Sequence, residues 1–540
     1  MKLKQIQAAI IFTLGILLYV NTWSFDFASD DKMMITDNDF TKGGIEGIYK
    51  IFTTDAFAGF LGEGKDLLSG GRYRPLSQLI FNIEYSIFGL SPTLWHIQNT
   101  IFFALAMVLV YLTLIKLFGT TTIKWYSIAF IASLIATVHP LNTEVVANIK
   151  SFDLILALIF SFGALYYSLK YHDNEKPKYL IIIFISLFLG ALSKETSLTF
   201  LGVIPLSILF FRTFDKTSFF KLFATLSASI IAYFALRISL IGMPKAVEVN
   251  ELLNNPFLEA TTSEKYATII YTWWHYIELY IFPHNLTHDY YPYTIGLMDW
   301  GNAVVISSLI IFISMTLWSI WKLFQQIKNN ENVNFIAYGW LFFILVFSIS
   351  SNLLVSIGAF MNERFIFVAD IGWALIMAYM ILYLSKKMQQ PFLITYAILI
   401  PLLGLFSLTT ITRNYAWQDD YTLFTTDVKV SENSAKCNVS AGGKSYERAK
   451  NTIDKHTKEV LLLDAKTYLI KGLKIYPKYT QAYILLGNVH FETAEYTKSF
   501  ANYIKAFELG EHKDSKTNIL VLGNKTHQKE QYSLSNTILK

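Results

Sequence analysis

Residues 96–118 read HIQNTIFFALAMVLVYLTLIKLF, and this stretch decides the class of the protein. Most of its side chains are apolar, and Lys116 near its end is the one strongly charged residue. A helix needs about 20 mostly apolar residues to cross a bilayer, so the stretch predicts a transmembrane helix. The whole chain agrees, because 53% of its 540 residues are hydrophobic and only 16% are charged. We therefore expect an integral membrane protein.

Charge and cysteine content exclude several classes of protein. Lys and Arg number 45 and Asp and Glu 40, and a net charge of +5 is too small for the broad basic surface of a nucleic-acid binder. Cys437 is the single cysteine, so an intramolecular disulfide and any site built from a CxxC pair are excluded. The sequence predicts no nucleic-acid partner and gives no support for a divalent metal.

Ten further apolar runs accompany residues 96–118. They cover residues 6–23, 125–146, 154–169, 179–191, 198–211, 219–241, 304–321, 335–357, 365–384 and 392–411. Another stretch, residues 267–282, contains His275 and Glu278 among aromatic side chains, a composition typical of the membrane interface, so it is not counted as a span. The pattern predicts about 11 spans.

Basic residues between the runs predict the orientation, because Lys and Arg gather at cytoplasmic ends. They put the amino terminus inside, the first run acting as a retained anchor, and the carboxyl terminus outside. The extracytoplasmic side then holds residues 24–91, 139–153, 193–196, 244–302, 360–364 and everything after 413. Short length and poorly matched repeats favour a bacterial inner membrane with this side in the periplasm; in a eukaryote the membrane would be the endoplasmic reticulum.

After Trp417 the apolar runs stop and a helical-hairpin repeat of about 34 residues begins. The small and apolar positions of this repeat are filled by Leu486, Gly487, Ser499, Tyr503 and Ala506, and one repeat earlier by Ala465, Leu469 and Gly472. Gly442 and Gly443 lie about ten residues too early, which predicts an insertion in the first repeat. We expect a small tetratricopeptide-repeat domain of two to three units.

Acidic and basic clusters occupy the predicted outer loops. Asp30 and Asp31 follow the first span, and adjacent carboxylates at a membrane surface are typical of a general base or a ligand for a cation, although a solvated acidic turn is the plainer alternative. Arg72 and Arg74 flank Tyr73, and guanidinium groups form paired hydrogen bonds with the oxygens of a phosphate. The alternative is that these arginines lie at the membrane interface and only extend their charged groups into water.

Further charged residues lie at the outer ends of other spans. These are His139, Glu144, Lys194, Glu195 and Arg364. Hydrogen bonding to a sugar or phosphate explains them better than a metal does, because the spacing of His139 and Glu144 matches no common ligand pattern. Self-contained ion pairs are the alternative interpretation.

In order along the chain, these residues resemble the transmembrane and tetratricopeptide-repeat O-mannosyltransferase family, whose members have the C-type glycosyltransferase fold. The matching positions are Asp30 and Asp31; Tyr73, Arg74, Pro75 and Leu76; His139, Pro140, Thr143 and Glu144; Lys194 and Glu195; Asn255, Pro256 and Phe257; residues 283–290, which end in Asp289 and Tyr290; Glu363 and Arg364; and Arg413, Asn414 and Trp417. Phe152, Asp153 and Leu154 depart from the family pattern, where Arg and Glu are usual, which puts a role for that segment in doubt.

The resemblance implies an all-α polytopic helical bundle over residues 1–417, with a large first outer loop at 24–91, and an extracytoplasmic repeat domain over 418–540. It implies an inverting transfer of a sugar from a polyprenyl-phosphate carrier to Ser or Thr of a protein. Asp30 would be the general base and Asp31 its partner. The donor phosphate and sugar would be bound by Arg72, Arg74, His139, Glu144, Lys194, Glu195 and Arg364, and the acceptor would lie near Asp289 and Tyr290. No cofactor is implied beyond this lipid-linked substrate, and the sequence contains no glycine-rich nucleotide loop.

Two alternatives stay open. The same fold could transfer an oligosaccharide, or modify a lipid or a surface glycan. A non-enzymatic membrane scaffold could instead use the repeats to bind a protein partner, because extended helical repeats usually bind peptides or proteins.

Overall fold

A computed structural model describes residues 2–62, 72–119, 123–243, 252–291, 294–329, 331–510 and 512–528. Every regular element in these ranges is a helix, which confirms the all-α expectation. The chain divides into two compact units. The first consists of Met1–Leu286 and Leu297–Asp419, and the second of Thr287–Gly296 and Asp420–Lys540.

The first unit is built from long apolar helices joined by short helical turns. Its helices of ten residues or more are Lys2–Tyr19, Gly44–Thr53, Pro75–Phe88, Pro92–Phe118, Ile128–Val138, Phe152–Asn174, Lys178–Ser193, Phe200–Phe211, Lys216–Ile241, Thr262–Ile281, Ala303–Asn329, Phe335–Phe347, Asp370–Lys387 and Pro391–Asn414. Shorter ones are Asp39–Lys42, Ala58–Leu61 and Thr143–Ala147.

Six helical segments within the described ranges are long and apolar enough to cross a membrane. They are Lys2–Ser24, Pro92–Phe118, Ile149–Asn174, Lys216–Ile241, Ala303–Asn329 and Pro391–Trp417. A seventh span results if Ile128–Val138 and Pro140–Ala147, which meet at a bend of 54°, cross together. A helical membrane protein is thus confirmed, and the count of 11 spans stays a prediction.

The apolar run 335–357 does not form one helix. Helix Phe335–Phe347 ends early, and Asn352 adopts a positive φ of 59°. Its side-chain amide donates to the carbonyls of Ala359 at 2.8 Å and Phe360 at 3.0 Å, which folds the segment into a loop. Asn tolerates the left-handed conformation and bonds nearby backbone, so a local polar interaction outweighs the apolar pattern.

The second unit contains helices Asp420–Asp427, Ala435–Asn451, Lys455–Ile475, Thr480–Glu492, Tyr496–Glu508 and His512–Gln528. Thr480–Glu492 packs against Tyr496–Glu508, and a Cβ added at Gly487 would overlap the ring of Tyr503. Glycine at this position therefore allows the two helices to approach closely.

The preceding hairpin has longer helices. Ala435–Asn451 has 17 residues and Lys455–Ile475 has 21, against 13 in each helix of the next hairpin. A Cβ at Gly442 would lie 2.7 Å from Leu469 Cγ, so this glycine too marks a close crossing. The early position of Gly442 in the sequence is accounted for by the length of these helices.

Candidate functional site

Asp31 anchors the start of the first outer loop. Its side chain is fully buried, and its carboxylate accepts hydrogen bonds from the backbone N–H of Ala28 at 3.0 Å and of Lys150 at 2.7 Å. Asn99 supports the same region by donating from its amide to the carbonyls of Asn148 and Ile149. A buried carboxylate costs free energy unless it accepts hydrogen bonds, so both of these bonds are expected to persist. Asp31 thereby connects the start of the first outer loop to the backbone at Lys150.

Asp30, the neighbouring carboxylate, faces two cations. Its side chain is 22% exposed, and Oδ2 lies 3.5 Å from Arg364 Nη2 and 3.9 Å from Lys150 Nζ. Nearby positive charge favours the ionised carboxylate, which is the form that can accept a proton. The two adjacent aspartates thus have different environments, one buried and bonded by backbone, the other accessible and paired with cations.

Asp153 lies at the centre of a buried ion network. Its carboxylate is 3.0 Å from Arg74 Nη1, 3.2 Å from Lys194 Nζ and 3.8 Å from Lys150 Nζ. Arg74 also binds Glu195, with Nε and Nη2 at 3.0 Å and 2.8 Å from Oε2. Removing one partner from such a network leaves an uncompensated buried charge, so the network holds its members in place.

Arg364 links Asp30 to a second carboxylate. Its guanidinium pairs with buried Glu144, and its backbone N–H lies 3.3 Å from Glu144 Oε2. Glu144 belongs to the short helix Thr143–Ala147, which follows the bend of the preceding span. These two contacts with Glu144 orient the guanidinium of Arg364 so that Nη2 approaches the carboxylate of Asp30.

A cavity of about 680 Å³ opens beside these residues. In the part of the chain that the structure describes, seven cationic side chains line it: Arg72, Arg74, Lys150, Lys194, Arg237, Lys265 and Arg364. Apolar and small residues complete the wall, among them Leu154, Leu198, Phe234, Val355 and Ile357. Among the described residues that line the cavity, Glu195 is the one acidic side chain, so this lining favours an anion attached to an apolar group.

Burial affects the basicity of the lining groups that lie outside the spans. It lowers the pKa of Lys194 well below its usual value, although Asp153 opposes the shift. Burial, reinforced by the charge of Arg74, lowers the pKa of Arg72 to about 10. The guanidinium of Arg72 still carries its charge near neutral pH, and its carbon lies 5.0 Å from the ring centre of Phe57.

One sequence-predicted residue, His139, does not line this cavity, and two others belong to the second unit. His139 is fully buried and outside the cavity lining; its ring stacks on Tyr280 at 4.2 Å, and Nε2 lies 2.9 Å from the Tyr280 carbonyl. Asp289 and Tyr290 belong to the second unit, where Asp289 Oδ2 accepts from Ser434 Oγ at 2.6 Å. The other predicted residues either line the cavity or contact a residue that does.

Lys150 and Asp153 continue the polar cluster of His139 and Glu144 in the sequence but were not predicted to bind the donor, and Arg237 and Lys265 were not predicted at this site. Asp153 was set aside because its segment departs from the family pattern, yet it carries the contacts that organise the cluster. A signal was available, since Lys150 and Asp153 both lie at the start of an apolar segment, Ile149–Asn174, where ionisable residues are rare unless paired or functional.

Comparisons with known proteins show which family the chain is similar to. The family described as "Dolichyl-phosphate-mannose-protein mannosyltransferase" matches residues 74–238, a range that includes Arg74, Asp153 and Lys194. Similar curated proteins are "Protein O-mannosyl-transferase F38B6.6" of Caenorhabditis elegans, at 26% identity over 80% of this chain and 59% of the relative, and "Protein O-mannosyl-transferase TMTC3" of Homo sapiens, at 26% over 80% and 49%.

Human "Protein O-mannosyl-transferase TMTC1" is 25% identical over 90% of this chain and 57% of its own length. The chain thus spans about half the length of the curated relatives it matches. These matches confirm the resemblance to the transmembrane and tetratricopeptide-repeat O-mannosyltransferases and support a glycosyltransferase of the protein O-mannosyltransferase-like kind.

Proposed function

We propose that this protein is an inverting glycosyltransferase that moves a sugar from a polyprenyl-phosphate carrier to Ser or Thr hydroxyls of proteins on the extracytoplasmic side. The names of its relatives make mannose the first sugar to test. The repeat-like helical hairpins of the second unit favour a protein acceptor, because stacked helical hairpins usually bind peptides or proteins.

One observation carries the proposal: a cavity rich in cations lies beside a carboxylate that is held at its edge. Lys150 and Arg364 line the cavity, and both approach Asp30 within 4.0 Å. The donor phosphate would occupy the cavity, and its apolar lining would contact the lipid. A hydroxyl positioned near Asp30 would then be close to the sugar.

The roles of the residues follow from charge. Asp30 accepts the proton of the acceptor hydroxyl while the hydroxyl oxygen forms a bond to the anomeric carbon. The bond between that carbon and the phosphate oxygen breaks on the opposite face, with inversion, and the electron pair leaves with the lipid phosphate. Arg72, Arg74, Lys194 and Arg364 stabilise the phosphate as it gains charge. Asp31 is a positioning residue, because its carboxylate accepts hydrogen bonds from the backbone N–H groups of Ala28 and Lys150 and so holds the loop that carries Asp30.

We further propose that residues 1–417 form the transferase domain and that residues 418–540 form a tetratricopeptide-repeat domain. The distribution of Lys and Arg predicts that the active site and the repeat domain are both on the extracytoplasmic side. His139 in this scheme supports the fold through Tyr280. Glu144 acts on the donor through Arg364, and Asp289 and Tyr290 are the acceptor-side candidates. In a bacterium the membrane would be the inner one.

The experiment uses full-length protein purified in detergent, polyprenyl-phosphate mannose and a Ser/Thr-rich peptide. Mass spectrometry should find one hexose on a Ser or Thr, and the matched peptide with Ala at those positions should stay unmodified. Extracytoplasmic proteins from cells with and without the chain should differ by the same modification. An unmodified peptide together with identical cellular glycans would overturn the proposal.

A further inference from the structure

A second cluster of ligand-type side chains lies wholly in the second unit. His288, Asp289 and Cys437 each offer a potential ligand atom, and these atoms lie within 4.8 Å of one another. In a tetrahedral zinc site with bonds of about 2.0–2.3 Å, ligand atoms are roughly 3–4 Å apart. Movement of about 1 Å would therefore bring the three atoms to binding distance. Asp289 is also an acceptor-side candidate, whereas His288 and Cys437 have no role in the transfer chemistry described above.

The surroundings of His288 are those of a metal-binding histidine. Nδ1 lies 2.8 Å from Oδ2 of fully buried Asp427, and the same oxygen accepts the backbone N–H of His288 at 2.8 Å. A carboxylate on one ring nitrogen fixes the ring orientation and makes the other nitrogen a better ligand. Metal binding through Nε2 would keep this hydrogen bond, whereas binding through Nδ1 would displace it.

Asp289 is oriented in a similar way. Oδ1 accepts the backbone N–H of Tyr291 at 2.8 Å, and Oδ2 accepts the hydroxyl of Ser434 at 2.6 Å. Each carboxylate oxygen has two lone pairs, so these bonds leave the carboxylate able to bind a cation. Outer hydrogen bonds to a ligating carboxylate are a common feature of metal sites.

Cys437 supplies the ligand that decides which metal fits. The thiol is fully buried on helix Ala435–Asn451, beside the apolar side chains of Val428 and Ala441. Thiolate, imidazole and carboxylate together suit zinc and related transition metals and do not suit magnesium or calcium. Metal binding would replace the thiol proton, because the thiolate is the ligand.

We propose that His288, Asp289 and Cys437 form a binding site for a divalent transition metal, with zinc the best fit. Such an ion would fasten the segment Thr287–Gly296 to the first long helix of the second unit. Three protein ligands leave a fourth position for water or for a group from a partner. The plainer alternative is a small buried thiol beside a His–Asp hydrogen bond, with no metal.

The test uses Co²⁺ as a spectroscopic probe with the full-length protein in detergent. Cys437 is the one cysteine of the chain, so any thiolate-to-cobalt absorption band must come from it. After chelation and desalting, the wild type should develop this band to one equivalent of Co²⁺, and Zn²⁺ should displace it. A wild type with no band in excess Co²⁺ would overturn the proposal, whatever its transferase activity.

Variants identify the remaining ligands. Cys437→Ser should abolish the band, and His288→Gln should weaken or abolish it. Asp427→Asn should lower Co²⁺ affinity roughly 10- to 100-fold, because it removes the group that orients the ligand. His456→Gln is the matched control, since His456 is exposed on helix Lys455–Ile475 of the same unit. Equal Co²⁺ affinity in His288→Gln and the wild type would remove His288 from the site and refute it as stated.

Discussion

Asp31 Oδ1 accepts a 2.7 Å hydrogen bond from the backbone N–H of Lys150, which lies 119 residues further along the chain. This bond sets the start of the first outer loop against the beginning of segment Ile149–Asn174. It brings the ammonium group of Lys150 to 3.9 Å from Asp30 and 3.8 Å from Asp153. The proposed base and the anion-binding cavity therefore share one scaffold.

The first prediction separates the two aspartates. Asp30→Asn should lower the transfer rate roughly 100- to 10,000-fold, because a general base contributes about that much. Asp31→Asn should keep measurable activity, since Asp31 acts by holding backbone N–H groups. Initial rates at saturating donor measure both effects.

Asp39→Asn is the control for this pair, because Asp39 is an exposed acidic residue of the same loop. It should transfer at the wild-type rate. Unaltered rates in both Asp30→Asn and Asp31→Asn would show that the chemistry occurs elsewhere and would favour the scaffold alternative.

The second prediction concerns Asp153. Asp153→Asn removes the carboxylate that pairs with Arg74 and Lys194, and breaking a buried ion pair costs about 3–5 kcal/mol. The midpoint of thermal unfolding should fall. Added polyprenyl phosphate should stabilise this variant more than the wild type, because its charge replaces the lost carboxylate.

Asp173→Asn is the matched control for Asp153→Asn. Asp173 lies on the same helix, Phe152–Asn174, and also pairs with two cations, Lys116 and Arg212. Its substitution should leave the stabilisation by polyprenyl phosphate as in the wild type. An Asp153→Asn protein with an unaltered midpoint and ligand response would contradict the network as described.

The third prediction addresses the cavity cations. Arg74→Ala and Arg364→Ala should each weaken use of the donor roughly 10- to 150-fold, which corresponds to about 1.5–3 kcal/mol for a lost charge-assisted hydrogen bond. The effect should appear in KM for the lipid donor at normal protein levels in the membrane. Arg364→Lys should recover part of the loss, since lysine keeps the positive charge but cannot form the paired hydrogen bonds of a guanidinium.

Loss of both alanine variants from the membrane, with no change in donor KM for the protein that survives, would instead assign these arginines to the fold.

The fourth prediction is topological. A reporter fused after Lys540 should be active outside the cytoplasm, and one fused after Lys387 should be active inside, because basic residues gather at cytoplasmic ends. Paired alkaline phosphatase and fluorescent-protein fusions measure this. The reverse pattern would place the cavity on the cytoplasmic side and would contradict transfer to extracytoplasmic proteins.

Local composition was enough to predict a helical membrane protein and the approximate positions of its helices, because helix formation and bilayer insertion depend on runs of neighbouring residues. Regular spacing likewise predicted where Gly487 and Tyr503 would matter in the second unit. The resemblance in residue order also brought Asp30 and Arg74 to attention before any contact was known.

Tertiary structure decided how the charged residues are used. It made Asp31 buried and Asp30 accessible, turned His139 toward Tyr280, and put Asp153 among the cations of three separate segments. These outcomes depend on contacts between residues far apart in the chain, such as Arg364 with Glu144 across 220 positions. A buried charge must find its partner wherever the fold provides one, so neighbouring sequence could reveal that need but could not identify the partner.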